Sequence, residues 1–269
     1  MKPSNKLNID EILTLKWRGL STTQIQKTDL PAFDRLYEED PDEFDRLIDK
    51  ANSIFDKQEK LGIKTITIQD DRYPAKLRAI GNDAPALIFY LGNTDLLNTD
   101  KAVAIIGARA ADKEGLTAAY KLGKEYAEQG NVVVSGLALG CDTSAHNGCI
   151  DGGGKTIAIV GSGLDIIHPR ENVPLQRRIL EHGGLILSEQ LIGWKANPTS
   201  LVARNRIQAA LSDATILAQC PVQSGSMHTM RFARQYRRKC YAVEFSKATE
   251  TNGGNRELIA RKQAEPLKL

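Results

Sequence analysis

The sequence predicts an α/β protein, a parallel sheet with helices on both faces, preceded by a small helical module. Three observations carry this expectation. Short apolar runs recur at Val103–Ile106, Val132–Val134, Thr156–Val160, Leu185–Leu187, Ala214–Leu217 and Cys240–Val243, most without the polar alternation of a half-exposed strand. Helical stretches separate several of them, at Leu116–Gln129, Pro174–Glu181 and Met227–Arg238. Glycine-rich turns follow three of the strands, at Gly107, Ser135-Gly136 and Gly161-Ser162-Gly163. In open parallel sheets, ligands bind beyond such strand ends.

The elements follow in order. Ile9, Ile12, Leu13 and Leu15 precede Trp17, and Gly19–Ser21 then interrupts the pattern. Ser21 can cap a helix carrying Ile25, while Phe44, Leu47, Ile48, Ala51 and Phe55 recur at helical spacing. Residues 1–60 therefore read as a helical module and 61–269 as the core domain. Ile63–Ile68 alternates as a strand does, Asp70–Pro74 reads as a turn, and Ala86–Leu91 as a buried strand.

A chain of 269 residues with 41% hydrophobic content is long enough for a substantial core. The four cysteines form no C-x-x-C pair, which argues against a disulfide scaffold or structural zinc and fits a reducing cytosol. The start MKPSNKLNID lacks a secretory apolar region, and no apolar run approaches bilayer length. A cytoplasmic protein with no membrane partner is expected. The net charge of +3 hides an asymmetry. Residues 1–70 carry 11 Lys+Arg against 14 Asp+Glu, whereas 200–269 carry 12 against five. That surplus suits an anionic partner, although a solvated basic face would also account for it.

The strand-end loops supply candidate phosphate contacts. Gly107 lets the backbone approach a ligand, and Arg109 adds a planar donor fork; an ordinary turn with a surface arginine is the alternative. After the next strand, Ser135 can donate to phosphate and Gly136 and Gly140 permit a tight loop, with Asp142 expected as a helix cap and His146 as a structural histidine. Gly152-Gly153-Gly154-Lys155-Thr156 resembles the end of a Walker A loop, but precedes a strand where that motif must follow one. Lys155 remains a candidate contact at the sheet edge. Gly161-Ser162-Gly163 lacks the third glycine of a dinucleotide fingerprint, which disfavours NAD. No G-x-S-x-G elbow is present, and no spacing rule pairs Asp165, Glu171 and Glu189 as acid and base. In the basic quarter, Arg204-Asn205-Arg206 reads as the start of a helix and suits a phosphodiester backbone. Ser224-Gly225-Ser226 offers a small-residue anion cradle, and Arg231, Arg234, Arg237 and Arg238 recur near helical spacing beside Lys239. Arg109 and Lys155 are expected to converge on this basic quarter from other strand ends.

Taken in order, these motifs resemble the DNA-processing protein A (DprA, or Smf) family. The resemblance runs from Leu61-Gly62-Ile63, Tyr73-Pro74 and Leu77-Arg78 through Ile88-Phe89 and Gly92-Asn93. It continues with Ile106–Arg109, Ser135–Asp142, Ala145-His146, Gly161–Asp165 and Pro169–Asn172, then Ser188-Glu189, Arg204–Arg206, Ser224–Ser226, Gly254-Asn255 and Leu258-Ile259. It implies an extended Rossmann-like domain, usually dimeric, that binds single-stranded DNA without catalysis or cofactor and passes it to a RecA-type recombinase. By the same resemblance Arg109 matches the pocket's strand-end arginine, Lys155 a commonly basic position, and Arg204 and Arg206 the Arg-Asn-Arg signature. Leu201-Val202 stands where the family usually has Phe-Pro, which removes an aromatic platform and about 1–3 kcal/mol of base stacking. Gln219 replaces a common glutamate and His168 a common tyrosine, and the expected protein is a divergent member without a C-terminal winged helix.

The function expected is therefore non-catalytic single-stranded DNA binding, with strand protection and recombinase loading in DNA uptake and recombination. The alternative is a Rossmann-like sensor of a nucleotide-derived small molecule in a phage-defence or mobile-element system. A phosphoribohydrolase is disfavoured because Pro221–Thr229 lacks the glutamate of a P-G-G-x-G-T-x-x-E motif. A third reading has the acidic module at 1–60 contacting a partner as an adaptor.

Overall fold

The computed structural model describes residues 5–269. Among them nine strands form one sheet: β1 (Lys64–Thr67), β2 (Leu87–Gly92), β3 (Ala102–Ile106), β4 (Val132–Ser135), β5 (Thr156–Ile159), β6 (Leu185–Ser188), β7 (Ala214–Leu217), β8 (Lys239–Val243) and β9 (Glu265–Leu267). Their order is β1-β2-β6-β5-β4-β3-β7-β8-β9. From β6 to β9 every pairing is parallel, whereas β1–β2 and β2–β6 are antiparallel. The expected parallel sheet is thus extended at one edge by an antiparallel pair. At the other edge lies β9, which the sequence did not announce: it is three residues long with Pro266 at its centre, a residue tolerated only where a strand has a free side.

Helices α1 (Ile9–Trp17), α2 (Thr22–Lys27), α3 (Leu30–Glu39) and α4 (Pro41–Lys60) precede the sheet, and the short α5 (Ala75–Arg78) sits between β1 and β2. Asp29 and Asp40 cap α3 and α4 by accepting from the N–H groups of Ala32 and Glu43. These helices do not stand apart from the sheet. Ile12, Leu13, Ile25, Phe44 and Phe55 share one buried cluster with Ile66, Ile88, Ile159 and Ile186. Gln69, after β1, donates to the carbonyls of Ile25 and Thr28 at 2.7 Å each and accepts from the Leu7 N–H. Thr22 Oγ1 donates to the Ala84 carbonyl at 2.7 Å.

The remaining helices are α6 (Lys113–Glu128), α7 (Cys141–Asp151), α8 (Val173–Glu181), α9 (Pro198–Leu211), α10 (Ser226–Gln235) and α11 (Gly253–Ala260). Strand alternation sends Val103 and Ile105 toward Ala119 and Leu122 of α6 and Ala145 of α7. Ala102 and Ala104 face the opposite cluster with Ile207 and Ala210 of α9 and Ile179 of α8. Both faces of the parallel strands are therefore covered, which is why these strands read as continuous apolar runs. Leu217 and Ala242 pack with Met230 of α10 and Leu258 of α11 in a third cluster.

Helices α6 and α7 approach until backbone meets backbone. A Cβ at Gly148 would fall within van der Waals contact of the Tyr120 carbonyl oxygen. Helix propensity alone makes Gly148→Ala stabilising by about 1 kcal/mol, while overpacking costs about 1–3 kcal/mol. We expect the second effect to win, so that Gly148→Ala lowers the denaturant midpoint of unfolding; a raised midpoint would show that the two helices can separate freely.

Candidate functional site

The order of strands creates a switch point. From β3 the chain moves outward through β4, β5 and β6 on one side, then returns to place β7 beside β3 and continues outward through β8 and β9. The loops leaving β3 and β7 diverge, and a cleft of about 410 Å³ opens between them at the carboxyl ends of the strands. Gly107 and Arg109 line it from the loop after β3, and Ser224, Gly225 and Ser226 from the loop after β7. Asp142 from α7 and Leu201, Arg204, Asn205 and Gln208 from α9 complete the wall. A smaller cavity of about 110 Å³ adjoins it, bounded by Gly136, Gly161 and His168 and sharing Arg109, Leu201 and Arg204.

Hydrogen bonds hold these loops together. The Ala108 N–H donates to the Gln219 carbonyl at 2.8 Å, and the Cys141 N–H to the Ala108 carbonyl at 3.2 Å. Ser226 Oγ donates to the Gly107 carbonyl at 2.7 Å, and Asn205 Nδ2 to the Gly225 carbonyl at 3.2 Å. The Gln219 amide accepts from the Asp112 N–H at 3.0 Å and donates to its carboxylate at 2.9 Å, fixing the start of α6. A glutamate at this position would lack the amide donor.

Arg204 is the centre of the wall. It is 5% exposed and donates to the Ile159 carbonyl at 3.0 Å, with the Asp142 carboxylate 3.8 Å away. Its guanidinium fills the space where a Cβ of residue 136 would stand, so Gly136 is required by close approach. With its amide oxygen turned inward, Gln208 accepts from the Gly136 N–H at 2.8 Å and from the same guanidinium. Burial pushes the Asp142 carboxyl up, opposed by the Arg204 charge and by the Ala138 N–H, which donates to it. Burial likewise lowers Arg204, with Asp142 opposing, yet an arginine stays charged. Among the described residues the buried Arg204 Nε has no hydrogen-bond partner, so the buried cation keeps one donor unmatched.

Arg109 contrasts with it. Its side chain is exposed at the rim of both cavities and, among the described residues, engages in no hydrogen bond or ion pair. An unpaired guanidinium thus stands beside a buried one whose charge is only partly balanced. Such a pair is suited to an anion with several oxygen acceptors.

The other candidates divide. Ser224 joins the cleft, and its Oγ accepts from the Ser226 N–H at 3.3 Å. Ser135 does not: it is fully buried, and its hydroxyl donates to the Ile105 carbonyl at 2.7 Å. Ser162 is spent inside its own loop on the Ile166 carbonyl at 2.8 Å, and Gly163 packs against the Leu191 carbonyl. Gly140 abuts the carbonyls of Ala108 and Arg109 and begins α7 as its cap, a place expected for Asp142. His146 is buried and held neutral, its pKa pushed down to about 3 by burial and by the Arg204 charge. Its Nδ1 lies 2.7 Å from Thr156 Oγ1, which donates to the Val133 carbonyl.

Three further expectations are corrected by geometry. Lys155 immediately precedes β5, so it lies at the amino end of the parallel strands, opposite the cleft. Arg206 belongs to the middle of α9, which begins at Pro198 behind an Asn197 cap rather than at Arg204. Its guanidinium meets both Glu189 oxygens at 2.6 Å, and Nε donates to the Asp83 carbonyl at 2.6 Å. The basic surplus also fails to converge on the cleft: Arg234, Arg237, Arg238, Lys239 and Lys262 line a separate groove where β8 and β9 begin. The roles of Asp142 and Gln208 lay outside the sequence reading, because only the fold brings α7 and α9 together.

Fold and site define a class, a Rossmann-like protein with an arginine-walled cleft at its switch point. The chain belongs to the DNA recombination-mediator protein A family, whose sequence model matches residues 64–268. DNA processing protein DprA of Streptococcus pneumoniae is 40% identical over 195 residues, covering 72% of this chain and 68% of that one. DprA of Bacillus subtilis is 33% identical over 217 residues, covering 81% and 72%. Protein Smf of Synechocystis is matched over about half its length, 49%, at 35% identity. The X-ray structure of DprA from S. pneumoniae superposes with a TM-score of 0.81 at 34% identity, covering 97% of this chain and 95% of that one. DprA of Helicobacter pylori, described for its single-stranded DNA binding mode, superposes at 0.67 with 32% identity, covering 76% and 90%.

The Arg206–Glu189 pair gives a pH-dependent expectation. Burial pushes the Glu189 carboxyl up, but the Arg206 hydrogen bonds and charge, with Lys16, bring it below the ordinary glutamate value. A carboxylate depressed on folding stabilises above its unfolded pKa, and that stability is lost as pH falls through the folded value. Glu189→Gln leaves Arg206 without its counter-charge and should cost about 3–5 kcal/mol at pH 7. Urea melts of the two proteins should converge as pH falls below the ordinary glutamate range; a gap independent of pH would refute the ion pair.

Proposed function

We propose that this chain binds single-stranded DNA in the switch-point cleft, without reacting with it, and acts as a recombination mediator. The observation that carries the reading is exposed Arg109, whose side chain has no partner among the described residues, standing beside the buried charge of Arg204. Phosphodiester oxygens are acceptors of the right charge and geometry for the Arg109 fork, and the buried Arg204 charge adds to the attraction. Family membership and the H. pylori relative's single-stranded DNA binding support the choice of polymer. Protection of the strand, its delivery to a RecA-type recombinase in DNA uptake, a homodimeric state and a cytoplasmic location rest on that family membership.

A nucleotide-derived small molecule is the second reading, since a volume of about 410 Å³ is ordinary for such a ligand. Continuity favours the strand. The cleft shares Arg204 with the smaller cavity on one side and Pro198 with a groove of about 550 Å³ on the other. A run of adjoining subsites suits an extended polymer better than one compact molecule.

Arg109→Ala should weaken binding of a labelled oligothymidylate by about 10- to 100-fold. It should also reduce the slope of log affinity against log salt by about 0.7 for the lost phosphate contact. Titrations at two salt concentrations check both; unchanged affinity and slope would remove the cleft from the DNA path. Calorimetry with mononucleotides beside the oligonucleotide separates the second reading, for which the mononucleotide alone would saturate the site.

A further inference from the structure

The cleft and its smaller neighbour are walled by arginine, serine, glycine and aliphatic side chains, with no Phe, Tyr or Trp among their lining residues. They offer charge to phosphate, and the imidazole of His168 is the one aromatic ring among their lining residues. The groove that continues from the cleft across Pro198 offers a larger aromatic face. Trp194 lines it and is 49% exposed, and among the described residues no ring stacks on it and no cation covers it. The four-residue step from Trp194 to Pro198 keeps their Cα atoms within about 14 Å.

The loop that carries Trp194 is fixed before any ligand arrives. The Gly193 N–H donates to both Asp165 oxygens, at 3.0 and 2.9 Å, and the Gly163 N–H to the Trp194 carbonyl at 2.9 Å. On the other side, Asn197 and Ser200 form a reciprocal cap at the start of α9, the helix that supplies Arg204. Lys195, the next residue, is exposed and adds a cation to the loop. A half-exposed indole on a loop fixed by these hydrogen bonds presents its ring in one place, ready for a flat partner. A base stacked on it loses little conformational entropy to the protein side.

We propose that Trp194 is a base-stacking subsite, taking an unpaired base of the same strand whose phosphates reach Arg109. This deepens the DNA-binding reading above and rests on it. The chemistry is sequence-tolerant, because every base has a π face.

The test uses the full chain, a short oligothymidylate and an abasic strand of equal length. Trp194→Ala should weaken oligothymidylate binding by about 5- to 100-fold, Trp194→Phe should restore most of it, and the abasic strand should bind both wild type and Trp194→Ala equally weakly. In a Trp17→Phe background, which leaves Trp194 as the sole tryptophan, emission should be quenched on adding oligothymidylate and unchanged by the abasic strand. If Trp194→Ala binds oligothymidylate as wild type does while Arg109→Ala does not, the stacking subsite is wrong and the cleft assignment stands. If neither substitution affects binding, the cleft assignment itself falls.

Discussion

The architecture of the site depends on one buried cation. Arg204 reaches from α9 over Gly136, donates to the end of β5 and faces Asp142 in the first turn of α7. Taking a guanidinium out of water is expensive, and losing one partner of a buried ion pair costs about 3–5 kcal/mol. The arrangement therefore persists only if the loop after β4, the end of β5 and the start of α7 all stay in place. Gly136 follows from the same constraint, since any side chain there would displace the guanidinium.

With Arg204 fixed, the two arginines of the expected signature and the strand-end Arg109 part in role. Arg204 builds the wall and keeps one donor unmatched. Arg109, on the rim, has no side-chain partner among the described residues and stands open to solvent. Arg206, two residues along the same helix, faces away and joins α9 to the end of β6 and to the Asp83 carbonyl. Identical side chains thus stand in solvent-facing, wall-forming and purely internal places, and their surroundings alone distinguish them.

This division explains what the sequence could and could not reveal. The parallel strands were legible because burial on both faces leaves an uninterrupted apolar run, and the turns after β3 and β4 because close backbone approach demands glycine. The start of α9 carried a signal, Asn197 before Pro198, which is an ordinary helix opening. The position of Lys155 was also implicit, since a residue preceding a parallel strand lies at the end away from the ligand. The partners of Arg204 and Arg206 were not legible: Asp142 and Glu189 come from other elements, and nothing local separates a paired arginine from a free one. Trp194 lacked a periodic pattern altogether, and its exposure is set by the loop that Asp165 holds.

The most direct test of the account is a crystal structure of the chain with bound oligothymidylate. A phosphate is expected within hydrogen-bonding distance of the Arg109 guanidinium, with the strand crossing the carboxyl ends of β3 and β7. A strand lying instead along the Arg234–Lys239 groove where β8 and β9 begin, with Arg109 still in solvent, would contradict it.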